Sequence, residues 1–287
     1  MKIYIEGNNS NKIGGGWSFR DSFRKCFDGQ IVDNPQEADF YLIPSVSMLP
    51  KLSVIPWDKK VVLRVDNVLK KSCNRDIHDF GGEKVSLMLA MKQIAQKANL
   101  TVFQSQWAKD YLEPYLKPKK SVVILNSVDE TIFNPDGRKI PVGKKTIYFY
   151  SRSSNHDNKG WHKIYYDFQY RYREDSNLEL WIIGRFSLEN IPNNFDFFNG
   201  EIIKYLGYIT DPEAMAMYMR SADFIYVPYS FDACSNTIIE GLMSGCIPKI
   251  LDNSGGTKEI LDKFKNKKDY FKLERMKREY KINLEGL

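Results

Sequence analysis

The chain has few of the residues that staple or metallate a fold. Its 287 residues include 4 cysteines, Cys26, Cys73, Cys234 and Cys246. None stands in C-x-x-C spacing and four are too sparse for a disulfide framework in a chain this long, so reduced and mostly buried thiols are expected. The 3 histidines, His78, His156 and His162, offer no i, i+4 pair with an acidic partner, which argues against a zinc site built on histidine. D-x-D, the usual way of bringing a divalent ion to a diphosphate, does not occur. No apolar run approaches the roughly 18 residues of a membrane span. Met1 to Gly7 alternates like a strand and lacks the apolar core and cleavage site of a signal peptide, so a cytoplasmic protein is expected.

What is present is the composition of a water-soluble globular chain: 43% hydrophobic and 27% charged residues, with a mean hydropathy of -0.45. A chain of 33.5 kDa removes about three quarters of its surface from water on folding, enough for a substantial core. The net charge of +6 is local, because Lys263 to Lys281 holds nine basic residues against three acids, Asp269, Glu274 and Glu279. Tyr270, Leu273, Met276 and Tyr280 recur there at helical spacing, which describes a closing helix with one packed and one solvated face. Contact with an anionic membrane surface is the rival reading of this tail, and nucleic acid is the least favoured.

Strand-like runs alternate with helix-period segments in two series. Lys2 to Ile5, Asp39 to Ile43, Val61 to Val65, Leu100 to Gln104 and Ser121 to Leu125 form the first, with helices over Glu83 to Lys97 and Trp107 to Leu116. Thr146 to Tyr150, Glu179 to Ile183, Ile202 to Leu206, Asp223 to Val227 and Lys249 to Leu251 form the second. Such alternation predicts parallel βαβ units, hence an α/β fold of two Rossmann-like domains. Asn134 to Lys145, rich in Pro, Gly and charge, reads as the linker. The expected domains are 1–135, 136–262 and a basic closing helix over 263–287, and the ligand site of such a pair is the cleft at the carboxyl ends of the strands.

Three places carry candidate chemistry. Gly14-Gly15-Gly16, following the first strand, would let a backbone approach a phosphate and pass it to a helix start capped by Ser18. A flexible turn is the plain alternative, and a dinucleotide fingerprint fits poorly, with Phe19 where its third glycine belongs. Arg152 and Lys159 project from one polar loop after the strand Thr146 to Tyr150; at about 4 Å from a diphosphate each would contribute about 4 kcal/mol before desolvation, enough to replace a metal. Solvated surface charges are the alternative there. Last, Asp232 to Gly245 opens a helix whose early amides (Ser235, Asn236, Thr237) can meet an anion. Glu240 inside that helix can accept from ribose hydroxyls, and Asp232 before it from a sugar.

The run Gly207-Tyr208, Ala222 to Tyr229, Asp232 to Glu240, Gly245 to Pro248 and Gly255 to Ile260 resembles the donor half of GT-B fold retaining glycosyltransferases, family 4. Asn126 to Asp129 before Phe133-Asn134-Pro135 resembles that family's interdomain segment. The resemblance covers about 140 residues of the second half well and the first half loosely. It implies two Rossmann-like domains with a cleft between them, and a last helix that crosses back to the first domain. It further implies transfer of a sugar from a UDP-, GDP- or ADP-linked donor to a carbohydrate or glycoconjugate hydroxyl, with retention of anomeric configuration and without metal or other cofactor. Arg152 and Lys159 would stabilise the departing diphosphate, Glu240 would hold the ribose, Asp232 the sugar, and Ser235 to Thr237 the phosphates, with Gly15 and Gly16 facing the diphosphate. The chain departs from the pattern in three ways: aspartate at 232 where glutamate is common, a short first domain, and Asp66 where a histidine often ends the strand. Asp66 would then position the acceptor hydroxyl or stabilise positive charge on the sugar, unless it is a structural strand-end carboxylate that pairs with Arg64. Asn74 to Gly82 suits an acceptor-side lid or a simple connector. A non-catalytic nucleotide-sugar binding module and a nucleotide-sugar epimerase are the alternative functions; an NAD-dependent dehydrogenase is a further, weaker one.

Overall fold

The computed structural model describes residues 1–7, 15–66, 82–152, 161–184, 202–227 and 232–287. The first series of elements is β1 (Ile3–Ile5), α1 (Gly15–Cys26), β2 (Ile31–Val32), β3 (Phe40–Ile43), β4 (Lys60–Val65), α2 (Gly82–Lys97), β5 (Leu100–Phe103), α3 (Gln106–Leu116) and β6 (Ser121–Val123). The second is β7 (Thr146–Arg152), α4 (Trp161–Glu174), β8 (Leu178–Gly184), β9 (Ile203–Tyr205), α5 (Pro212–Ser221), β10 (Phe224–Val227), α6 (Asn236–Ser244) and β11 (Ile247–Ile250). Helices α7 (Gly256–Phe264) and α8 (Leu273–Glu285) follow. The strands read from the sequence form within two residues of their expected ends. The main extension is β7, whose pairing with β8 runs on through Ser151↔Ile183 to Arg152↔Gly184.

Contacts divide the chain into two units, one of Met1–Ser127, Phe231–Cys234 and Gly255–Leu287, the other of Val128–Ser230 and Ser235–Ser254. The first unit holds a six-stranded parallel sheet in the order β2-β1-β3-β4-β5-β6. Alternate residues serve its two faces. Tyr41, Ile43, Val61, Leu63, Val65 and Phe103 pack under α2 and α3, while Ile3, Ile5, Leu42, Val62 and Val102 pack under α1 and α8. The expected closing helix thus belongs to the first sheet. Its Met276 and Tyr280 are buried, the Tyr280 ring meeting Phe23 edge-on at 5.0 Å, and Lys277, Arg278 and Lys281 remain exposed. Tyr270, expected on the same helical stripe, lies in the preceding 3-10 turn and is exposed instead.

The second unit holds a five-stranded parallel sheet in the order β11-β10-β7-β8-β9. Helix α4 covers Tyr148, Tyr150, Leu180 and Ile182 through Ile164, Tyr165 and Phe168, residues whose i, i+1, i+4 spacing puts them on one helical face. On the opposite face α5 brings Tyr218 against Trp181 at 5.6 Å. The same face receives α6, whose Gly241 lies so near Ile225 that an added Cβ would stand 2.9 Å from that side chain. Buried Arg220 of α5 donates to the carbonyls of Ile132, Asn134 and Arg138 at 2.8, 3.0 and 3.2 Å, fastening the stretch that enters this unit.

Candidate functional site

Both sheets reverse direction once. In the second, the chain leaves β7 toward β8 and later returns to β7's other side as β10, which makes the carboxyl ends of β7 and β10 a topological switch point, where open α/β sheets bind ligands. Arg152 ends β7 there, and α6 begins after β10. Lys159 lies outside the described residues. Ser235 caps α6 by accepting from the Ile238 amide at 3.3 Å. Asn236 and Thr237, half-buried, occupy the first two helical positions, whose amides have no intrahelical acceptor. Gly245, in the left-handed region at φ 105°, ends the helix. Glu240 stands three and four residues past Thr237 and Asn236, so the three share one face. Its carboxyl makes no hydrogen bond or ion pair with a described residue, and burial pushes it up to about 7. A withdrawn carboxyl with no cation beside it among the described residues gains most from incoming hydroxyl donors.

The first sheet turns at β1 and β3. Gly15 and Gly16 open α1 directly, which places Ser18 at the fourth helical position and not at the cap the sequence suggests; with both glycines already helical, Ser18 comes too late to cap. Glu6, just past β1, accepts from the hydroxyl of Tyr41 within β3. Burial and this carboxylate hold the Tyr41 phenol far above its ordinary range.

Asp66 follows β4. Its Oδ1 accepts from the Val46 amide at 2.8 Å, and Oδ2 lies 3.8 Å from the Arg64 guanidinium, so the expected Arg64 pairing forms. Arg64 is 1% exposed. It donates to the Pro44 carbonyl at 2.7 Å and to Asn126 Oδ1 at 2.8 Å, and its guanidinium sits 3.8 Å from the Phe19 ring centroid. Asn126 in turn donates to Gln104 Oε1 at 2.6 Å and the Cys234 carbonyl at 3.3 Å. Sequence reading missed this network, although an arginine inside an otherwise apolar strand, two residues before a polar strand end, is its visible signal.

Asp232 falls in the first unit. Its carbonyl accepts from Gly256 N at 2.8 Å and its Oδ2 from Thr257 Oγ1 at 3.2 Å. The glycines beside it are sterically required: a Cβ on Gly255, at φ 63°, would meet the Trp107 ring at 2.8 Å, and one on Gly256 would meet the Ala233 carbonyl at 2.0 Å. Glu259 accepts from the Trp107 amide at 2.6 Å, at the start of α3. The second unit therefore gathers Arg152, Ser235, Asn236, Thr237 and Glu240 around one switch point, while Gly15, Gly16, Asp66 and Asp232 belong to the first. Among the described residues no three metal-ligating side chains cluster, and no helix is long and apolar enough to cross a membrane.

No family model matches the sequence, and no curated protein matches it either. Solved structures do. The chain is similar to the sucrose-phosphate synthase from Thermosynechococcus elongatus, with TM-score 0.62 and 13% identity over 87% of this chain and 73% of that one. It is similar to the pneumococcal O-GlcNAc transferase GtfA in complex with UDP and GlcNAc, with TM-score 0.62 and 11% identity over 86% of this chain and 56% of that one. A third is S. aureus TarM in complex with Fondaparinux, alpha-GlcNAc-glycerol and UDP, at TM-score 0.59 and 12% identity over 77% of this chain and 43% of that one. The chain thus spans about half the length of the latter two. Two parallel sheets of Rossmann type and these likenesses give it the GT-B fold.

Proposed function

We propose that the chain is a glycosyltransferase that moves a sugar from a nucleotide-diphospho-sugar to an acceptor hydroxyl with retention of configuration, in the manner of family 4. The observation that carries the reading is the arrangement at the second sheet's switch point, where Arg152, the capped start of α6 and a Glu240 carboxyl without a described partner share one end of one sheet. In this reading the amides of Ser235 to Thr237 meet the phosphates and Glu240 accepts from the ribose hydroxyls. Arg152 and Lys159 stabilise the charge that grows on the leaving diphosphate, replacing a metal. UDP, present in the GtfA and TarM complexes, is the first donor nucleotide to try.

The step is a front-face substitution. The bond between the anomeric carbon and the phosphate oxygen breaks, the bond to the acceptor oxygen forms on the same face, and the leaving phosphate takes the acceptor's proton. Asp66 orients the acceptor hydroxyl. Asp232 contacts the sugar while retaining its bond to Thr257, a prior engagement that also favours the second reading, a nucleotide-sugar binding module without turnover.

One experiment separates the two. UDP-, GDP- and ADP-sugars are screened by thermal shift, where a ligand at 100 times its Kd stabilises by about 2.7 kcal/mol. The best donor is then incubated with an acceptor panel with and without EDTA. Transfer insensitive to EDTA, giving an anomerically retained product, is expected. Binding with neither hydrolysis nor transfer would select the binding module, and no shift with any donor would discard both.

A further inference from the structure

We propose that Arg64 is a positioning residue for Asp66, a claim that rests on the acceptor-side role given to Asp66 above. The two side chains share one face of β4 at successive same-face positions, Arg64 beneath and Asp66 at the rim. Isolating a guanidinium from water is costly, and a well-packed apolar side chain there would stabilise the fold as well or better. The chain nevertheless keeps a fully buried cation, and the one carboxylate within 4 Å of it among the described residues is Asp66. Each hydrogen bond from this cation to a described residue serves placement. Pro44 O fixes it to the loop leaving β3, Asn126 Oδ1 fixes it to the segment after β6, and Phe19 of α1 closes it from the side. Asp66 uses Oδ1 to hold Val46, two residues beyond Pro44 in the same loop. The loop and the carboxylate are therefore set together, leaving Oδ2 facing Arg64 at 3.8 Å. Removing the charge while keeping the bulk should let the carboxylate turn and release Val46.

The Val46 amide reports this directly, with or without turnover. Amide hydrogen exchange is compared in the wild type, Arg64→Met, Arg64→Lys and Asp66→Asn, with global stability measured alongside. Exchange of Val46 about tenfold faster in Arg64→Met than its stability loss explains, and close to that in Asp66→Asn, is expected, with Arg64→Lys between it and the wild type. In a transfer assay Arg64→Met should lower kcat about tenfold with the donor KM within about twofold, and Arg64→Met/Asp66→Asn should be no slower than Asp66→Asn alone. Unchanged Val46 exchange in Arg64→Met, or multiplicative loss in the double variant, overturns the proposal. A wild type that transfers nothing overturns the functional reading instead, and leaves the exchange result to decide the positioning.

Discussion

The two parallel sheets are closed differently. In the first, β4 is buried on both faces, with Val61, Val62, Leu63 and Val65 all inaccessible between α2 and α3 on one side and α1 and α8 on the other. In the second, α4 covers β7 to β9, but the same face continues over β10 and β11 with only half-buried Phe224 and Tyr226 and an Ile247 that is 56% exposed. Lys249 extends over the Phe224 ring at 4.8 Å, and Pro248 stands in the edge strand, devices that blunt an edge against pairing. Parallel sheets ordinarily bury both faces. The first unit thus behaves as a braced platform whose rim is set by a buried polar network, and the second as a lighter frame that presents the capped start of α6. Under the proposed function, the first unit would supply stability and the second the charge chemistry.

The severest challenge to that division is kinetic. Arg152→Ala and Lys159→Ala in the second unit are each expected to lower turnover by about 10²–10³, as groups acting on charge that develops in the transition state do, with the urea midpoint unchanged. Steady-state kinetics beside urea titrations measure both quantities. Should Asp66→Asn cost more than either while both cations prove dispensable, the chemistry belongs to the first unit and the comparison inverts.

Backbone packing provides the next largest effect. Gly256→Ala places a Cβ 2.0 Å from the Ala233 carbonyl and 2.2 Å from Ser105 Oγ, and is expected to cost about 3 kcal/mol or more, since rigid backbone must move. Gly245→Ala in the second unit meets only Pro135 Cβ at 3.6 Å and pays chiefly for φ 105°, about 1–2 kcal/mol. Chemical denaturation ranks them; an equal cost would show that the first unit is no more rigidly packed around Gly256 than the second is around Gly245.

Glu240 sharpens the comparison from the second unit's side. Its carboxyl, raised to about 7 by burial, titrates near 4.5 when unfolded, so below that pH both states are protonated and the contribution is fully present. It is lost as pH rises toward 7, reaching at most about 3 kcal/mol. Glu240→Gln should therefore match the wild type in stability at pH 4 and exceed it at pH 8, while weakening donor binding at both. Urea midpoints at the two pH values decide it: a gap between the variants that does not widen with pH would mean that the buried carboxyl is stabilised by a charge partner.

Much of this organisation was legible because apolar periodicity depends on local spacing. The apolar run Val61-Val62-Leu63 announces a strand, and the spacing of Ile164, Tyr165 and Phe168 announces one packed side of α4. The small polar run Asp232 to Thr237 likewise announced the start of α6, with Glu240 inside it. Long-range commitments were not legible. Nothing local in Asp232 signals that Thr257 engages its carboxylate, since 25 residues separate them, and the bond of Arg64 to Asn126 spans 62 residues. Helix starts at glycine were missed for another reason: Gly15 and Gly16 carry no side chain to reveal whether they cap or continue the helix, so Ser18 drew the boundary too late.

The smallest expected effect is the most direct reading of the open face. Val61→Thr in β4 keeps the shape and β-branching of a residue at 0% exposure but buries a hydroxyl among apolar neighbours, for which about 1–3 kcal/mol is expected. Ile247→Thr in β11 makes the same kind of change where water already reaches the side chain, and should cost no more than about 0.5 kcal/mol. Both residues are β-branched and both lie in parallel strands, so intrinsic strand propensity largely cancels between them. What remains is burial. Urea titration of the pair thus measures the difference in closure between the sheets; a loss at Ile247 approaching that at Val61 would mean that this face is covered in solution.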